Sequence, residues 1–260
     1  MGDVSYRPLI EEMTWSYSRI ECFKMCPYKF FRRYILGEKE EPRFYASYGS
    51  FVHKLLEEYY TGKTAKEDLK TKFLFGFTSE VEGRRPPGNV VGDYIRAGLE
   101  YFDTFEPFPY KQLGVEKMVN FEIGGYPFVG FIDFLGEKDG DIYLVDHKSR
   151  KLKPRSKRAK PTVADRELDT MLRQLYIYSK AVKDEYGRFP KALCFNCFAN
   201  KEFIVEPFRE DDYQKALDWA RESIEEILDA ESWLPNKEFF KCTNLCGISD
   251  GCEYYQEGTL

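Results

Sequence analysis

Two aspartates and a lysine lie on the arms of one predicted β-hairpin, in the segment GFIDFLGEKDGDIYLVDHKS. The pair Asp139-Gly140 between the arms is typical of a two-residue type I′ turn, because both positions of that turn need positive φ. With the turn at this pair, Asp133 and Asp146 lie opposite each other, with Cβ atoms about 5 Å apart. Lys148 is two residues beyond Asp146 and therefore projects from the same face. The sequence thus predicts two facing carboxylates with an amine beside them.

This arrangement favours a metal site. Two carboxylates at such a distance repel each other unless a cation lies between them, and hard oxygen ligands suit Mg²⁺ or Mn²⁺. A lysine beside such a cation can stabilise charge developing on a phosphate or help orient a metal-bound water. The alternative is an Asp–Lys ion pair on an exposed strand. We favour the metal site because four apolar neighbours on this face are predicted to be buried: Phe131, Leu135, Ile142 and Leu144.

One of the two histidines lies in a predicted amphipathic helix, SFVHKLLEEYY. His53 and Glu57, four residues apart, share the edge of its apolar arc. His53 is therefore placed where a helix meets the sheet, either as a third metal ligand or as a boundary histidine bonded to a backbone carbonyl. The residues alone favour the second. In a later predicted helix, 165–186, Gln174 and Tyr178 likewise share one face at the margin of the apolar arc.

The charge is unevenly distributed. The net charge of −5 argues against a nucleic-acid partner, but residues 148–160 hold eight of the 39 basic residues and no acid. The rest of the chain has 31 basic and 44 acidic residues. An acidic body with one basic segment fits a site that follows a polyanion, and a solvated loop is an equally good interpretation.

The composition indicates a folded chain outside the membrane. Of the 260 residues, 43% are hydrophobic and 32% are charged. No stretch approaches the roughly 18 apolar residues that a spanning helix needs. The N-terminal residues lack the basic-then-apolar order of a signal peptide, so we expect a cytoplasmic protein.

The seven cysteines are odd in number, which argues against a full disulfide framework. Three of them, Cys242, Cys246 and Cys252, lie close together in the C-terminal tail, where they are either metal ligands or unligated thiols. Cys194 and Cys197 form a CxxC in a predicted strand, which directs them to opposite faces. We therefore expect these two to be buried thiols.

Alternating and helical patterns predict an α/β fold with a mixed sheet: helices, then a strand meander, a crossover helix and further strands. The predicted helices are 16–34, 50–60, 64–80, 92–105, 165–186 and 210–231. In the first of them, Ser16 is the cap, and Pro27 begins a second turn of helix or kinks the first. The predicted strands are 115–123, 126–135, 142–148, 191–198 and 202–208.

Taken together, these segments resemble the PD-(D/E)XK nuclease superfamily, and most of all its RecB-like branch. That branch includes the CRISPR-adaptation exonucleases and many phage and recombination exonucleases. The matching segments, over residues 16–178, are SYSRIECFKMCPYKFFRRY, GSFVHKLLE, GFIDFLG, LVDHKS and QLYIY, in this order. The resemblance implies a restriction-endonuclease-like core in a single nuclease domain over 1–260. Its expected parts are a helical portion (16–105), the core (110–208), and a helix with a cysteine-bearing tail (209–260).

The resemblance also implies the residues of the site. The implied metal ligands are His53, Asp133, Asp146 and the backbone carbonyl of His147. Strand alternation directs the side chain of His147 to the other face of the sheet. The implied catalytic residues are Asp133, Asp146 and Lys148. The implied DNA contacts are Gln174 and Tyr178, which also support the site, and Lys151, Lys153 and Arg155 of the basic segment.

The implied activity is Mg²⁺- or Mn²⁺-dependent hydrolysis of DNA that leaves a 5′-phosphate and a 3′-hydroxyl. We expect an exonuclease that acts on single-stranded or duplex ends in recombination, replication or repair, in a prokaryotic or phage-infected cell. A helicase or a single-strand-binding protein is a further expected partner. The rival interpretations are a structure-specific endonuclease and a non-catalytic DNA-binding subunit with the same fold.

Some RecB-like nucleases hold a [4Fe–4S] cluster on one N-terminal and three C-terminal cysteines. The corresponding residues are Cys26, Cys242, Cys246 and Cys252, with zinc as the alternative metal. The spacing Cx3Cx5C is one residue longer than the family's usual CxxCx5C. Cys22, one helical turn from Cys26, is a spare candidate.

Overall fold

The computed structural model describes residues 6–255. The helices in this range are α1 (Arg7–Glu11), α2 (Tyr17–Met25), α3 (Pro27–Phe30), α4 (Phe44–Tyr60), α5 (Leu69–Glu80), α6 (Val90–Asp103), α7 (Val163–Tyr186), α8 (Glu210–Leu228) and α9 (Phe239–Asn244). The strands are β1 (Lys111–Ile123), β2 (Tyr126–Lys138), β3 (Asp141–Lys148), β4 (Ala192–Cys197) and β5 (Glu202–Pro207). Within the described residues, no helix combines the length and the apolar character that a membrane crossing requires.

The strands form one mixed sheet in the order β1-β2-β3-β4-β5. β1, β2 and β3 are an antiparallel meander, β3 and β4 are parallel, and β5 is antiparallel to β4. A parallel pair requires a crossover connection, and α7 lies in it. The predicted α/β fold with a mixed sheet flanked by helices is therefore confirmed.

The central hairpin has the turn that its sequence predicts. Asp139 and Gly140 both have positive φ, 55° and 81°. The two arms pair in the predicted register from the turn to Phe134–Val145. Pairing ends there, so the chain reaches Asp133 just where β2 and β3 stop bonding to each other.

One apolar neighbour of the aspartates does not lie where strand alternation places it. Leu135, Ile142 and Leu144 are fully buried as predicted, but Phe131 is 53% exposed, so its predicted burial is wrong. Up to Asp133, Phe131 lies on the less buried side of β2, and the burial pattern of the strand changes at that point. Glu116 in β1 has a left-handed φ of 43°, and in β2 the alternation of buried and less buried residues gives way to three consecutive buried residues after Asp133. Strict alternation therefore fails across this point.

The predicted helix 16–34 is divided at Pro27. Ser16 caps α2 by accepting a hydrogen bond from the backbone N–H of Arg19 at 3.2 Å. Cys26 is extended and Pro27 begins α3, since proline lacks the N–H that a first helical residue leaves unbonded. A π-helical turn, Phe31–Ile35, follows.

α4 begins at Phe44, well before the predicted start after Gly49. Gly49 lies inside the helix rather than before it. A Cβ built at this position would lie 3.4 Å from Ser149 Oγ. The glycine thus reflects a close approach between α4 and the end of β3, which brings the helix over the edge of the hairpin.

The buried apolar side chains form two main clusters. The larger contains residues of α2, α7, α8 and the sheet, and the second is built mainly from α4, α5 and α6. α4 therefore belongs to a helical layer that packs on itself, and one edge of that layer meets the sheet.

Gly98 in α6 is expected to be intolerant of any side chain. A Cβ there would lie 2.1 Å from the Phe73 ring, so Gly98→Ala is expected to destabilise the protein by about 1–3 kcal/mol through overpacking. Gly92→Ala is the matched control in the same helix, because nothing lies within 4 Å of its added Cβ, and alanine favours the helix by about 1 kcal/mol. Urea unfolding of both variants measures the difference. Equal stabilities would contradict the close packing at Gly98.

Candidate active site

Side chains from five elements converge on one cavity of about 530 Å³ at the open end of the central hairpin. α4 contributes His53, β1 contributes Glu116, and β2 contributes Asp133. β3 contributes Asp146, His147 and Lys148, and α7 contributes Gln174. Every chemical group that the hairpin argument singled out therefore borders the same cavity.

Asp133 takes the place of a strand partner where the ladder ends. Its Oδ2 accepts a hydrogen bond from the backbone N–H of His147 at 2.7 Å. Burial, followed by the negative charge of Asp146, raises the pKa of Asp133 to about 7. Such a carboxyl is costly to ionise in the absence of a counter-charge, as expected of a ligand that awaits a cation.

Glu116 joins the site, although the sequence-based prediction did not include it. Val115 pairs with Phe134 and Lys117 with Ile132, so Glu116 lies opposite Asp133. A signal for it exists in the sequence. A turn at Gly124-Gly125 places Glu116 opposite Asp133, just as the turn at Asp139-Gly140 places Asp146 there. The outcome is one acid on each of three neighbouring strands.

His53, Glu116 and Asp133 form a compact donor set. One ligand atom from each lies within 4.8 Å of the others. His53 Nδ1 is 3.5 Å from Asp133 Oδ2 and 3.8 Å from Glu116 Oε1. The set offers one imidazole nitrogen and the oxygens of two carboxylates. Carboxylate oxygens suit both Mg²⁺ and Mn²⁺, and the nitrogen favours Mn²⁺. The donors therefore fit a divalent cation.

The other ring nitrogen of His53 also has a partner. Nε2 lies 3.0 Å from the backbone carbonyl oxygen of His147 and donates to it. Burial lowers the pKa of His53, but the opposing effect of Asp133 and the neighbouring acids is greater, and the pKa rises to about 9. The Nε2 contact matches the interpretation of His53 as a histidine bonded to a backbone carbonyl, and Nδ1 faces the acids, as a third metal ligand would.

The His147 side chain points away from the cavity acids, as alternation predicts. Its Nδ1 lies 2.9 Å from Asn196 Nδ2, and Asn196 donates in turn to the Tyr101 hydroxyl at 2.7 Å. Burial is the main reason that the pKa of His147 lies well below its ordinary value. The backbone of this residue bonds to Asp133 and His53, and its ring packs edge-on against the His53 ring with the centres 5.4 Å apart.

Lys148 lies between Asp146 and α7. Its Nζ is 2.7 Å from Asp146 Oδ2 and 3.3 Å from Gln174 Oε1. The amine is therefore held by one carboxylate and one amide oxygen at the wall of the cavity. Asp146 is turned toward the lysine and lies outside the compact set of His53, Glu116 and Asp133.

The Tyr178 hydroxyl supports the side chain of Gln174. The Gln174 amide lies 3.5 Å from the Tyr178 hydroxyl, and Tyr178 is only 6% exposed. A Cβ built at Gly130 would lie 2.5 Å from this ring, so the glycine makes room for it. Tyr178 is therefore placed to position the glutamine, and Gln174 lines the cavity.

The basic segment 148–160 is an anchored loop between β3 and α7. Leu152 in this segment is buried, and its carbonyl accepts a hydrogen bond from Asn200 at 2.8 Å. Arg155 is bound by Asp169 and Glu206, each at 2.7 Å, so its guanidinium is committed to the protein. Among the described residues, Lys151 and Lys153 are exposed cations of this segment without an ion partner.

Asp165 at the start of α7 fastens this loop. It is buried, and its carboxylate accepts hydrogen bonds from the backbone N–H and the hydroxyl of both Ser156 and Thr162, at 2.6–2.7 Å. These bonds, beginning with the one from the Ser156 N–H, hold the pKa of Asp165 well below its ordinary value. The segment is thus shaped by its own polar contacts.

Asp165→Asn is expected to loosen this loop. The amide cannot accept all four hydrogen bonds, so trypsin should cut within 150–160 faster than in the unmodified protein. Because the folded carboxyl has a lowered pKa, its stabilisation is complete above the unfolded pKa of about 3.9 and is lost as the pH falls below it. Asp184→Asn, in an exposed pair with Lys180, is the control. Equal trypsin rates for the two variants would contradict the role of Asp165.

The four candidate cluster cysteines meet at one place. Cys26, Cys242, Cys246 and Cys252 line a single cavity between the N-terminal helices and the tail. Burial raises the pKa of Cys246, whose nearest thiols include Cys26 and Cys242. Cys22 is buried outside this lining.

Polar contacts close the tail over the N-terminal half of the chain. Arg43 donates to the Cys246 carbonyl at 2.8 Å and to Ser249 Oγ at 2.9 Å. Arg32 donates to the Gly251 carbonyl at 2.8 Å. Cys194 and Cys197, by contrast, are buried in separate apolar clusters on the sheet, as predicted.

The family model of the PD-(D/E)XK nuclease superfamily matches residues 14–254. The chain therefore belongs to that superfamily.

Solved structures extend this comparison at the level of the fold. A protein of Eubacterium rectale, named as a candidate exonuclease, is similar over 100% of this chain and 94% of its own, with 14% identity and a TM-score of 0.56. This likeness shows the shared fold alone. The protein SSO0001 matches over 95% of this chain and 88% of its own with 15% identity, but its TM-score of 0.34 carries no argument. No curated protein matches the chain.

Proposed function

We propose that this nuclease is a Mg²⁺- or Mn²⁺-dependent DNA exonuclease that acts in recombination, replication or repair. The observation that carries the proposal is the single cavity in which His53, Glu116, Asp133 and Asp146 face Lys148. The fold that the chain shares with the candidate exonuclease of Eubacterium rectale supports the exonuclease assignment.

Each residue has a role that its position supports. His53, Asp133, Asp146, Glu116 and the His147 carbonyl are the donors that would hold the cation, which when bound neutralises phosphate charge and lowers the pKa of water. Lys148 stabilises negative charge that develops on the phosphate and orients the attacking water. Gln174, held by Tyr178, keeps the lysine amine in place.

The basic segment supports binding of a polyanion. Lys151 and Lys153 follow directly from the catalytic strand and are exposed, so they are placed to neutralise backbone phosphates near the scissile bond. Arg155 supports the shape of the loop through Asp169 and Glu206.

A gel time course tests the proposal. The substrates are linear single-stranded DNA labelled at either end, the corresponding duplex, and a covalently closed circle, each with Mn²⁺ or Mg²⁺ or with EDTA. We expect metal-dependent loss of the linear DNA with the circle spared. Cutting of the circle would replace the exonuclease with an endonuclease. Loss of neither substrate, with binding retained, would replace it with a non-catalytic DNA-binding subunit.

We further propose that Cys26, Cys242, Cys246 and Cys252 hold a [4Fe–4S] cluster. A tetrahedral zinc site with bonds of 2.3 Å needs sulfurs about 3.8 Å apart. Within the part of the chain that the structure describes, no three of these sulfurs lie within 4.8 Å of one another, although all four line one cavity. The wider spacing favours a cluster over a single zinc ion.

Cys246→Ser is expected to remove iron and to weaken the clasp between the tail and the N-terminal helices. Protein purified without oxygen should contain iron and sulfide in near-equal amounts, and the variant should lose both and melt at a lower temperature. Cys194→Ser, a buried thiol on the sheet, is the control and should keep its iron. Zinc without iron in the unmodified protein would overturn the assignment.

A further inference from the structure

Three aromatic side chains, one each from α4, α6 and α9, form a row that begins at the active-site cavity. Tyr45 lines the active-site cavity, and its ring centre is 5.6 Å from that of Tyr94, with the planes at 63°. Phe240 continues the row, with its ring centre 6.0 Å from that of Tyr45. We refer to Tyr45, Tyr94 and Phe240 as the aromatic platform.

Tyr45 and Tyr94 of the platform lie along a path that leads out of the active site. A second cavity of about 430 Å³, which Tyr94 lines, adjoins the first, and the two share Ser149 and Arg150. The first cavity holds the acids and Lys148, and the second continues along α6. A chain that enters the active site by this path passes the platform.

The charges along this path suit a phosphate backbone. The acids of the second cavity are already paired, Asp93 with Arg96 and Glu100 with Lys201. Lys151 lines the same cavity and has no ion partner among the described residues. A cation beside aromatic rings is the combination that holds single-stranded nucleic acid, in which phosphates meet the charge and bases meet the rings.

Core packing explains only part of the platform. The Tyr94 ring packs edge-on against Tyr48 at 4.7 Å, which gives it a structural role as well. Phe240 is 51% exposed and lies on the short helix α9, so burial does not account for an aromatic residue there. Its open face lies next to the cavity-lining Tyr45.

We propose that the aromatic platform stacks on unpaired bases of a single-stranded DNA next to the cleaved end, and thereby selects single strands over duplex. A duplex keeps its base faces stacked on one another and offers the platform only phosphates and base edges. This inference rests on the proposed function and adds the substrate class to it.

Binding in EDTA tests the platform without catalysis. The probes are a fluorescein-labelled dT oligonucleotide, an oligonucleotide of the same length with abasic sites in place of the bases, and a duplex. The double variant Tyr45→Ala/Phe240→Ala is expected to bind the dT probe about tenfold or more weakly, and to bind the abasic probe as tightly as the unmodified protein does. The variant Tyr45→Phe/Phe240→Ala, which keeps an aromatic ring at position 45, should recover part of the lost affinity for dT.

Two controls keep the result interpretable. Phe75→Ala removes an exposed aromatic residue of α5, 77% exposed, and should leave all three affinities unchanged. Thermal melting checks that each variant is folded. An equal loss of affinity for the dT and abasic probes would overturn the proposal. No loss for either probe would also overturn it, and would mean that Phe240 contacts another protein instead of DNA.

This outcome is separable from that of the cleavage assay. A protein that discriminates dT from abasic DNA through the platform but cuts neither linear strand nor circle would retain the inference and lose the exonuclease. A protein that cuts linear DNA with no contribution from the platform would retain the exonuclease and lose the inference.

Discussion

Lys148→Ala is expected to reduce the rate of DNA cleavage by about 10²–10³-fold, the cost of removing one preorganised group that stabilises transition-state charge. The amine is held 2.7 Å from Asp146 Oδ2 and 3.3 Å from Gln174 Oε1, so it needs no reorganisation when charge develops on the phosphate. Because its effect is greatest in the transition state, the loss should fall on kcat more than on KM.

Single-turnover cleavage of a labelled strand under saturating Mn²⁺ measures this effect. Lys215→Ala, at an exposed position on α8, is the matched control and should retain full activity. Gln174→Ala should produce a smaller loss in the same direction, because it removes only the support of the amine. Activity of Lys148→Ala within threefold of the unmodified protein would show that another residue performs the chemistry.

Asp133→Asn is expected to lower both the affinity for Mn²⁺ and the rate of cleavage by more than about 100-fold. Loss of a residue that only supports a metal ligand costs up to about 100-fold, and Asp133 is a proposed ligand itself. Asp133 lies between Glu116 on one side and Asp146 on the other, so its charge is central to the donor set. Asparagine keeps an oxygen that can accept from the His147 N–H, which preserves the local backbone. Isothermal titration with Mn²⁺ and the cleavage assay measure the two losses.

The same substitution is expected to stabilise the protein in EDTA at about pH 8, by about 1–3 kcal/mol. Burial and Asp146 raise the pKa of Asp133 to about 7 in the folded state, so the carboxyl favours folding when protonated. That contribution is fully present below the unfolded pKa of about 3.9 and is lost as the pH rises through 7. Asparagine resembles the protonated form at every pH.

Urea unfolding at two pH values measures this difference. The gain in stability of Asp133→Asn should be present at about pH 8 and should shrink as the pH falls toward 5. Asp141→Asn, in an exposed pair with Lys191 at the hairpin turn, is the control and should show no such gain. A destabilised Asp133→Asn at about pH 8 would mean that Asp133 is stabilised by its neighbours even without a cation.

The structure of the central hairpin could be predicted from its local sequence. Asp139 and Gly140 adopt the left-handed conformations that a type I′ turn requires, and this turn determines the pairing of every residue between it and Phe134. Asp146 and Lys148 then border the same cavity as Asp133. The PD-(D/E)XK resemblance rests on these residues, and membership of the superfamily confirms it.

The same local reasoning fails where distant segments meet. Gly49 signals a helix boundary locally but lies inside α4, because Ser149 approaches it from β3. Phe131 belongs by alternation to the same face as the buried Leu135, yet it is 53% exposed, because the packing of other elements decides which part of a strand face is covered. Arg155 is one of eight cations in the basic segment, and only the fold supplies Asp169 and Glu206 to bind it.

The sequence by itself determined the mixed α/β fold, the hairpin register and the aspartates and lysine at its open end, because turn chemistry and strand periodicity are local properties. Tertiary structure decided which groups join them. His53 reaches the acids because α4 packs at the edge of the sheet, whereas Glu116 joins Asp133 through the β1–β2 hairpin, which the turn at Gly124-Gly125 already signals in the sequence. Cys26 reaches the tail cysteines, and Tyr45 reaches Phe240, across about two hundred residues of chain. Contacts at such separations depend on the packing of whole elements, and no periodicity in the chain records them.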